Sequence, residues 1–483
     1  MGSGNFIRRA KPAFKWGCLA LALAIGVAST PDSRVSWAQA GFSYHRVYFV
    51  HDTATAAYLV PTDVYSISQA DGDGGVAEAM NLLIEGPPEG SGMSSLLPKG
   101  TRLLSWRLDK GVAYVDFSRE LLEANVGSTG EALLLGQIVG TLGEFPDVWK
   151  VRILVEGKPL ESLAGHIDIS GPLDAKGVSE GLRFQGFSDV LGHWAEGYVK
   201  ALVLVRVISG LPDGTFRPDE PVSRAQFVKM LVESVEASKG GSEAGIVTSE
   251  TWDSPFSDVT QGHWALPYLK KAIDERIVVP SDYGTRFSPD RPMTRREVAV
   301  MLARAMGLER EASMMREAVL PFVDVGKEPA WSTGYIAVTY SRGLMKGYPD
   351  GTFKPSGAVT RAEASALLSR FLKMGEGDIL VAFPREGAEV GGRAGLMGVA
   401  RVFEGVLGVR MRGGDQALPG GERTFCVHAS EGAPAFGVFA VVFPVTPELR
   451  LAAPQGEALL ESLWHSPKDG SEIGLVRRSV VLR

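Results

Sequence analysis

The sequence predicts a multidomain fold: an α+β domain at the N-terminus, a mainly α-helical repeat domain in the middle, and an all-β sandwich at the C-terminus. Three observations predict it. Residues 41–175 mix alternating strand patterns with two helical stripes, residues 183–374 repeat one helix-turn-helix unit three times, and residues 378–483 consist of short apolar runs broken by Gly and Pro.

The chain opens with Arg8, Arg9, Lys11 and Lys15, an apolar run from Cys18 to Ala28, and small residues at Ala38-Gln39-Ala40. That order predicts a secretory signal peptide over residues 1–40, cleaved before Gly41. The apolar run is short for a bilayer span, so no transmembrane segment is expected in the mature chain. Cys18 precedes the run instead of ending it, unlike a lipid-attachment site, and Cys426 alone survives cleavage. One cysteine allows neither an internal disulfide nor a cysteine-rich metal site, and no cofactor is expected. The formal net charge of -6 becomes -10 without residues 1–40, which excludes a generally basic, nucleic-acid-binding surface.

In residues 41–175, Arg46 to Val50 and Val151 to Val155 alternate as strands, and Leu103 to Leu108 with Val112 to Phe117 flank an Asp109-Lys110-Gly111 turn as a hairpin. Val76, Ala79, Met80, Leu83 and Ile84 keep helical spacing until Gly86-Pro87-Pro88, and Leu134, Ile138 and Leu142 make a second stripe. Val47-Tyr48-Phe49, Leu82 to Pro87, Val115 to Ser118, Gln137 to Leu142 and Ile153 to Gly157 resemble the GerMN module of sporulation and germination proteins. Such modules are commonly lipid-anchored, an arrangement absent here. Asp116, Ser118, His166 and Asp168 could be imagined as a hydrolytic site, but residues closing a hairpin strand are usually turn or capping residues.

The repeats span 183–236, 252–310 and 318–374. Each begins with Phe-x-Asp-Val and a tryptophan: Phe187 with Trp194, Phe256 with Trp264, Phe322 with Trp331. Each turns at a Gly-Thr-Phe or similar segment, ending at Phe216, Phe287 and Phe353, and opens a second helix at Ser223, Thr294 or Thr360. The hydroxyl and Gln226, Glu297 or Glu363 three residues on fit a capping box. Arg224, Arg295 and Arg361 then fall at the first helical position, where a cation opposes the helix dipole. Its recurrence in all three copies predicts compensation by an anionic ligand. Ala237 to Ser254, rich in Gly, Ser and Glu, reads as a flexible insertion.

These motifs resemble the S-layer homology (SLH) module. The resemblance implies a pseudo-threefold helical domain whose inter-repeat grooves bind secondary cell-wall polysaccharide, often through a pyruvate ketal. It also implies the groove residues: Arg224, Arg295 and Arg361, with Trp194, Trp264 and Trp331, and Gly210 and Gly347. Repeat two departs most, with Pro280 in the glycine position and Arg286 inserted, so its groove ranks last; repeat one has Gln226 in place of glutamate. One or two working grooves are expected. Trp331 shares a helical face with Tyr335 and Val338, which predicts core packing with only an edge free for sugar. His193 and His263 are expected to be local structural residues.

After residue 378, seven runs predict a β-sandwich: Ile379–Phe383, 395–403, 405–411, Thr424–His428, 437–442, 457–463 and 475–482. Val381-x-Phe383-Pro384, Gly398-x-Ala400-x-Val402-Phe403-Glu404 and Ser466-x-x-Asp469-Gly470-Ser471 resemble the immunoglobulin-like domain of bacterial spore germination. Cys426 is expected as core filler. Together the resemblances imply a secreted, non-catalytic protein on the wall of an endospore-forming, Gram-positive-type bacterium. Its implied partners are wall polysaccharide and peptidoglycan, with envelope or spore-coat proteins for the flanking domains. The rival readings are an SLH-tethered wall hydrolase and a spore-envelope assembly protein.

Overall fold

The computed structural model describes residues 42–67, 75–176, 181–239, 252–413, 424–453, 456–466 and 471–483. The expected signal peptide and most of the 237–254 insertion lie outside these residues.

In the N-terminal region, β1 (Ser43–Asp52) and β2 (Ala57–Ser66) form an antiparallel hairpin. Helix α1 (Val76–Glu85) buries Val76, Ala79, Met80 and Leu83 and stops where Gly86 takes a φ of 80°. Strands β3 (Leu103–Asp109) and β4 (Val112–Phe117) turn through Lys110 and Gly111, both left-handed, which matches the twist of a tight hairpin. Helix α2 (Ser128–Gly143) crosses back, and β5 (Lys150–Val155) pairs parallel with β4, as a crossover connection permits. Two short strands, β6 (Lys158–Pro159) and β7 (Leu173–Asp174), add to β5. Residues 162–167 wrap over α2 because the buried Glu131 carboxylate accepts backbone N–H groups from Leu163, Ala164, His166 and Ile167.

The repeats supply α3 (Glu196–Leu204) and α4 (Arg224–Ser238), α5 (Leu266–Asp274) and α6 (Arg295–Ala305), a short α7 (Glu309–Met314), then α8 (Ala330–Ser341) and α9 (Arg361–Phe371). All three capping boxes form as the sequence predicts. The aspartate of each opening motif ties the loop to the following turn: Asp189 accepts from Phe216 and Arg217, Asp258 from Phe287 and Ser288, Asp324 from Phe353 and Lys354. Arg217, Ser288 and Lys354 are left-handed at φ 54–55°, so the carboxylate stabilises a backbone turn that these side chains disfavour. Between repeats the backbone bonds close on themselves: Val222 N donates to Val359 O, Val359 N to Met293 O, and Met293 N to Val222 O, each at 2.9 Å.

The C-terminal strands are β8 (Ile379–Phe383), β9 (Ala388–Val390), β10 (Arg393–Ala400), β11 (Val406–Arg412), β12 (Thr424–His428), β13 (Gly437–Pro444), β14 (Glu457–His465) and β15 (Glu472–Leu482), with helix α10 (Pro447–Ala452) after β13. One sheet runs β12-β11-β14-β15-β9. It packs against the other through Leu396, Phe439, Val441, Leu407, Val409 and Leu460. Cys426 is buried on β12, as expected of core filler.

The facing sheet runs β1-β2-β13-β10-β8, so the two terminal regions, which the sequence separates, share a sheet. Strand β2 pairs parallel with β13 at Asp63–Val441 and Val64–Val442. Asp63, fully buried, receives Arg46 Nη2 at 2.8 Å, Tyr44 Oη at 3.0 Å and His428 N at 2.6 Å, and so fastens β1, β2 and β12 together. Helix α3 of the first repeat packs on the same sandwich: Lys200 Nζ donates to Phe436 O at 2.7 Å beside its buried partner Glu196, and Gly197 leaves room for the Phe436 ring.

Candidate ligand grooves of the repeat domain

Each helix-opening arginine is buried and reaches into the neighbouring repeat. Arg224 donates to Phe287 O and, at 2.7 Å, to Glu297 Oε1. Arg295 donates to Phe353 O at 2.6 Å and Lys346 O at 2.7 Å. Arg361 donates to Phe216 O at 2.7 Å and Gln226 Oε1 at 3.3 Å. The cation predicted to await an external anion is thus held first by carbonyls of the next repeat. Each guanidinium also lies over an aromatic ring of that repeat: Tyr283 at 5.0 Å, Tyr348 at 4.6 Å and Phe216 at 4.5 Å. Burial pushes the Tyr283 and Tyr348 phenols up to about 12, so both stay neutral beneath their arginines.

The tryptophans are not core residues, contrary to the face argument. Trp194, Trp264 and Trp331 are 55, 50 and 49% exposed, although the residue after each, Ala195, Ala265 or Ser332, is buried, so the tryptophans stand on the outer side of the helix starts. Trp331 meets Tyr335 nearly perpendicular at 6.4 Å between centroids. His193 and His263 accept the backbone N–H of Ala195 and Ala265 at 3.1 Å, the local role expected of them.

Gly210 and Gly347 lie against the aromatic of their own repeat's opening motif. A Cβ there would stand 2.3 Å from the Phe187 or Phe322 ring, so the absent side chain lets the motif aromatic pack against the turn. Neither glycine has a left-handed φ.

A cleft of about 1010 Å³ opens where Arg224 of repeat one, Tyr283 and Arg304 of repeat two, and Trp331 and Tyr335 of repeat three meet. It lies at the turn with the inserted Arg286, at the groove the departures ranked last. Six arginines and three carboxylates line it, an excess of positive charge in a chain of net charge -6. Arg286, Arg291, Arg296, Arg304 and Arg316 were missed by motif reasoning; their signal is the density of arginine from 286 to 316. Arg304 is tied to Asp282 at 2.7 Å and Glu309 at 3.1 Å.

The imagined hydrolytic residues are employed in local structure. Asp116 accepts Gly157 N, Ser118 accepts Arg102 N and Asp168 accepts Ser170 N. Among the described residues no group of three or more His, Cys, Asp or Glu is placed to hold a metal ion, and no helix is long and apolar enough to cross a membrane.

Comparison with known proteins finds three families along the chain. Residues 46–161 match sporulation and spore germination; residues 186–228, 255–299 and 321–365 match the S-layer homology domain; residues 378–471 match the immunoglobulin-like domain of bacterial spore germination. Cell surface glycoprotein 1 of Acetivibrio thermocellus is 32% identical over 178 residues, 35% of this chain and 7% of the relative. The cellulosome-anchoring protein of the same organism is 29% identical over 168 residues, 35% of this chain and 36% of the relative. The chain therefore spans well under half the length of either. The tandem GerMN domains of the sporulation protein GerM from Bacillus subtilis superpose with a TM-score of 0.25 at 24% identity, over 31% of this chain and 49% of that one.

Proposed function

We propose that this chain, which carries a sporulation and spore germination module, three S-layer homology domains and a germination-type immunoglobulin-like domain in that order, is a non-catalytic surface protein docked on anionic, pyruvylated secondary wall polysaccharide. Its S-layer homology domains mark it as a cell-surface protein anchored to the cell wall. The observation that carries the finer reading is the cleft beside Arg224, where the half-exposed Trp331, Tyr283 and Tyr335 and several arginines converge. Tryptophan faces pack on sugar rings, and a guanidinium fork pairs with carboxylate.

In this reading the repeats at 183–236, 252–310 and 318–374 form a pseudo-threefold domain, supported by the cyclic exchange among Val222, Met293 and Val359. Arg224, Arg295 and Arg361 serve the grooves with Trp194, Trp264 and Trp331, and Gly210 and Gly347 hold the turns that wall them. The modules at 41–175 and 378–483 are presented to envelope or spore-coat proteins of an endospore-forming, Gram-positive-type cell, and residues 1–40 direct export. The non-catalytic assignment is supported by the backbone duties of Asp116, Ser118 and Asp168.

The test is co-sedimentation of the full chain with native wall sacculi and with sacculi freed of secondary polymer by mild acid. Binding to native sacculi and its loss after stripping is expected. Equal binding to both would refute the polysaccharide as the anchor.

A further inference from the structure

One tryptophan outside the repeats stands open. Trp106 and Trp464 pack against the cores of the N- and C-terminal modules, whereas Trp149, immediately before β5, is 66% exposed, more than any of the three repeat tryptophans. A lone exposed apolar side chain is ordinary on a protein surface, but this one is mounted. The Trp149 N–H donates to Gly111 O at 2.8 Å and its carbonyl accepts from Ala175 N at 2.9 Å, so the backbone is fixed on both sides. A Cβ on Gly111 would stand 2.7, 2.9 and 3.3 Å from the indole Cε3, Cδ2 and Cγ, so the ring lies against the hairpin turn and only glycine admits it there. Gly111 is also left-handed at φ 80°, so one residue makes the turn and seats the ring. With the turn on one side, the exposed part of the indole is the side facing away from it.

The surroundings say what such a ring can take. The charged residues flanking it and the turn in the chain, Asp109, Lys110, Asp147 and Lys150, are all exposed and cancel, two against two. The hairpin arginine, Arg107, is engaged over the Tyr114 ring at 3.6 Å with Asp109 at 3.8 Å, so the hairpin offers no free guanidinium fork to a carboxylate. Trp149 presents on the order of 150 Å². Even with Leu108, 42% exposed on the same hairpin, that is far below the roughly 800 Å² that a stable protein interface takes from each partner. One open aromatic side within a charge-balanced polar rim matches a neutral sugar ring, whose C–H face packs on the indole while its hydroxyls meet the rim.

We propose that Trp149 is a second saccharide contact, outside the repeat domain, that stacks on a neutral pyranose of the wall's glycan strands. This inference rests on the wall-anchoring reading above. A single stacked ring binds weakly on its own, but a chain held on the wall by its repeats presents Trp149 to glycan at an effective concentration on the order of millimolar, where a weak contact fills. In this arrangement the N-terminal module lies against the wall while the repeats carry the anchoring ligand. The two contacts also differ in kind: the repeats hold an anion, whereas stacking on a neutral ring involves no charge and is not screened by salt.

The test carries isotope-labelled tryptophan in the full chain and follows the Trp149 indole N–H by NMR, identified by its loss in Trp149→Tyr. The chain is titrated with a neutral N-acetylglucosamine tetramer and, separately, with the acid-released secondary polymer. A saturable shift with the tetramer, little changed by added salt, is expected. No shift with the tetramer, or a shift with the polymer alone, would overturn the proposal. Sedimentation with native sacculi gives a second readout: Trp149→Ala should weaken binding roughly two- to tenfold, the scale of one aromatic contact, and Trp149→Tyr less. Thermal melting of each variant separates a ligand contact from a structural cap. Unchanged sacculus affinity with a lowered melting temperature would mark the ring as a cover for the turn and overturn the inference. A wild-type chain that ignores sacculi sinks the anchoring reading, and the tetramer titration still decides the role of Trp149.

Discussion

Replacing Asp63 by Asn should uncouple the two ends of the chain. The carboxylate is fully buried between β2 and β12, with Arg46 at 2.8 Å and the backbone and ring of His428 at 2.6 and 2.9 Å. Asn keeps the shape and removes the charge, leaving the Arg46 guanidinium in a nearly closed site without its counter-ion. Breaking a buried pair in this way costs about 3–5 kcal/mol. Urea unfolding of the full chain gives the loss, and hydrogen exchange at Val441 and Val442 reports whether the β2–β13 pairing has opened. Burial alone would raise the Asp63 carboxyl, but Arg46 and His428 outweigh it and hold the group below the usual carboxylate range. Its folded pKa is therefore depressed, so the stabilisation is present above about pH 4, the unfolded value, and disappears as pH falls through the lower folded value. The stability difference between wild type and Asp63→Asn should shrink over that acid range. A loss below about 1 kcal/mol at neutral pH, the scale of an exposed ion pair, with unchanged exchange at Val441 and Val442, would refute the latch.

Gly347→Ala should destabilise the third repeat by about 1–3 kcal/mol, because the new methyl would stand 2.3 Å from Phe322 Cε1; denaturant midpoints check it. Glu131→Gln should cost about 1–3 kcal/mol by leaving some of its backbone N–H partners unpaired, with faster exchange at Leu163, Ala164, His166 and Ile167. Trp331→Ala should leave melting within a few degrees of wild type, since half the ring is exposed, yet reduce sacculus binding severalfold.

What was legible in the sequence is what local chemistry dictates. The capping boxes at Ser223, Thr294 and Thr360 have fixed spacing, and the hairpin through Lys110-Gly111 needs left-handed residues, so both could be read from a few neighbouring letters. The tryptophans misled because a shared helical face does not say where the core ends along it: Trp331 is half exposed while Val338 on the same face is buried. The arginines were found, but their first partners, Phe287, Phe353 and Phe216, are 58 to 145 positions away, and nothing local announces a carbonyl that distant. The joining of β2 to β13 was illegible for the same reason: two residue pairs across some 380 positions leave no periodic trace.

That joined sheet bears on how the displayed modules could be released from the wall. The chain leaves the N-terminal region near residue 176, runs through the three repeats, and re-enters the same sheet at β8 after residue 374. In the proposed wall-anchored arrangement, cargo and anchor are connected by two covalent crossings, and the β2–β13 ladder joins the two flanking modules to each other. A protease that severs one crossing frees nothing, because the second strand and the sheet still hold the halves together. Shedding requires two cuts, and a singly nicked molecule would remain on the wall, detectable only after denaturation.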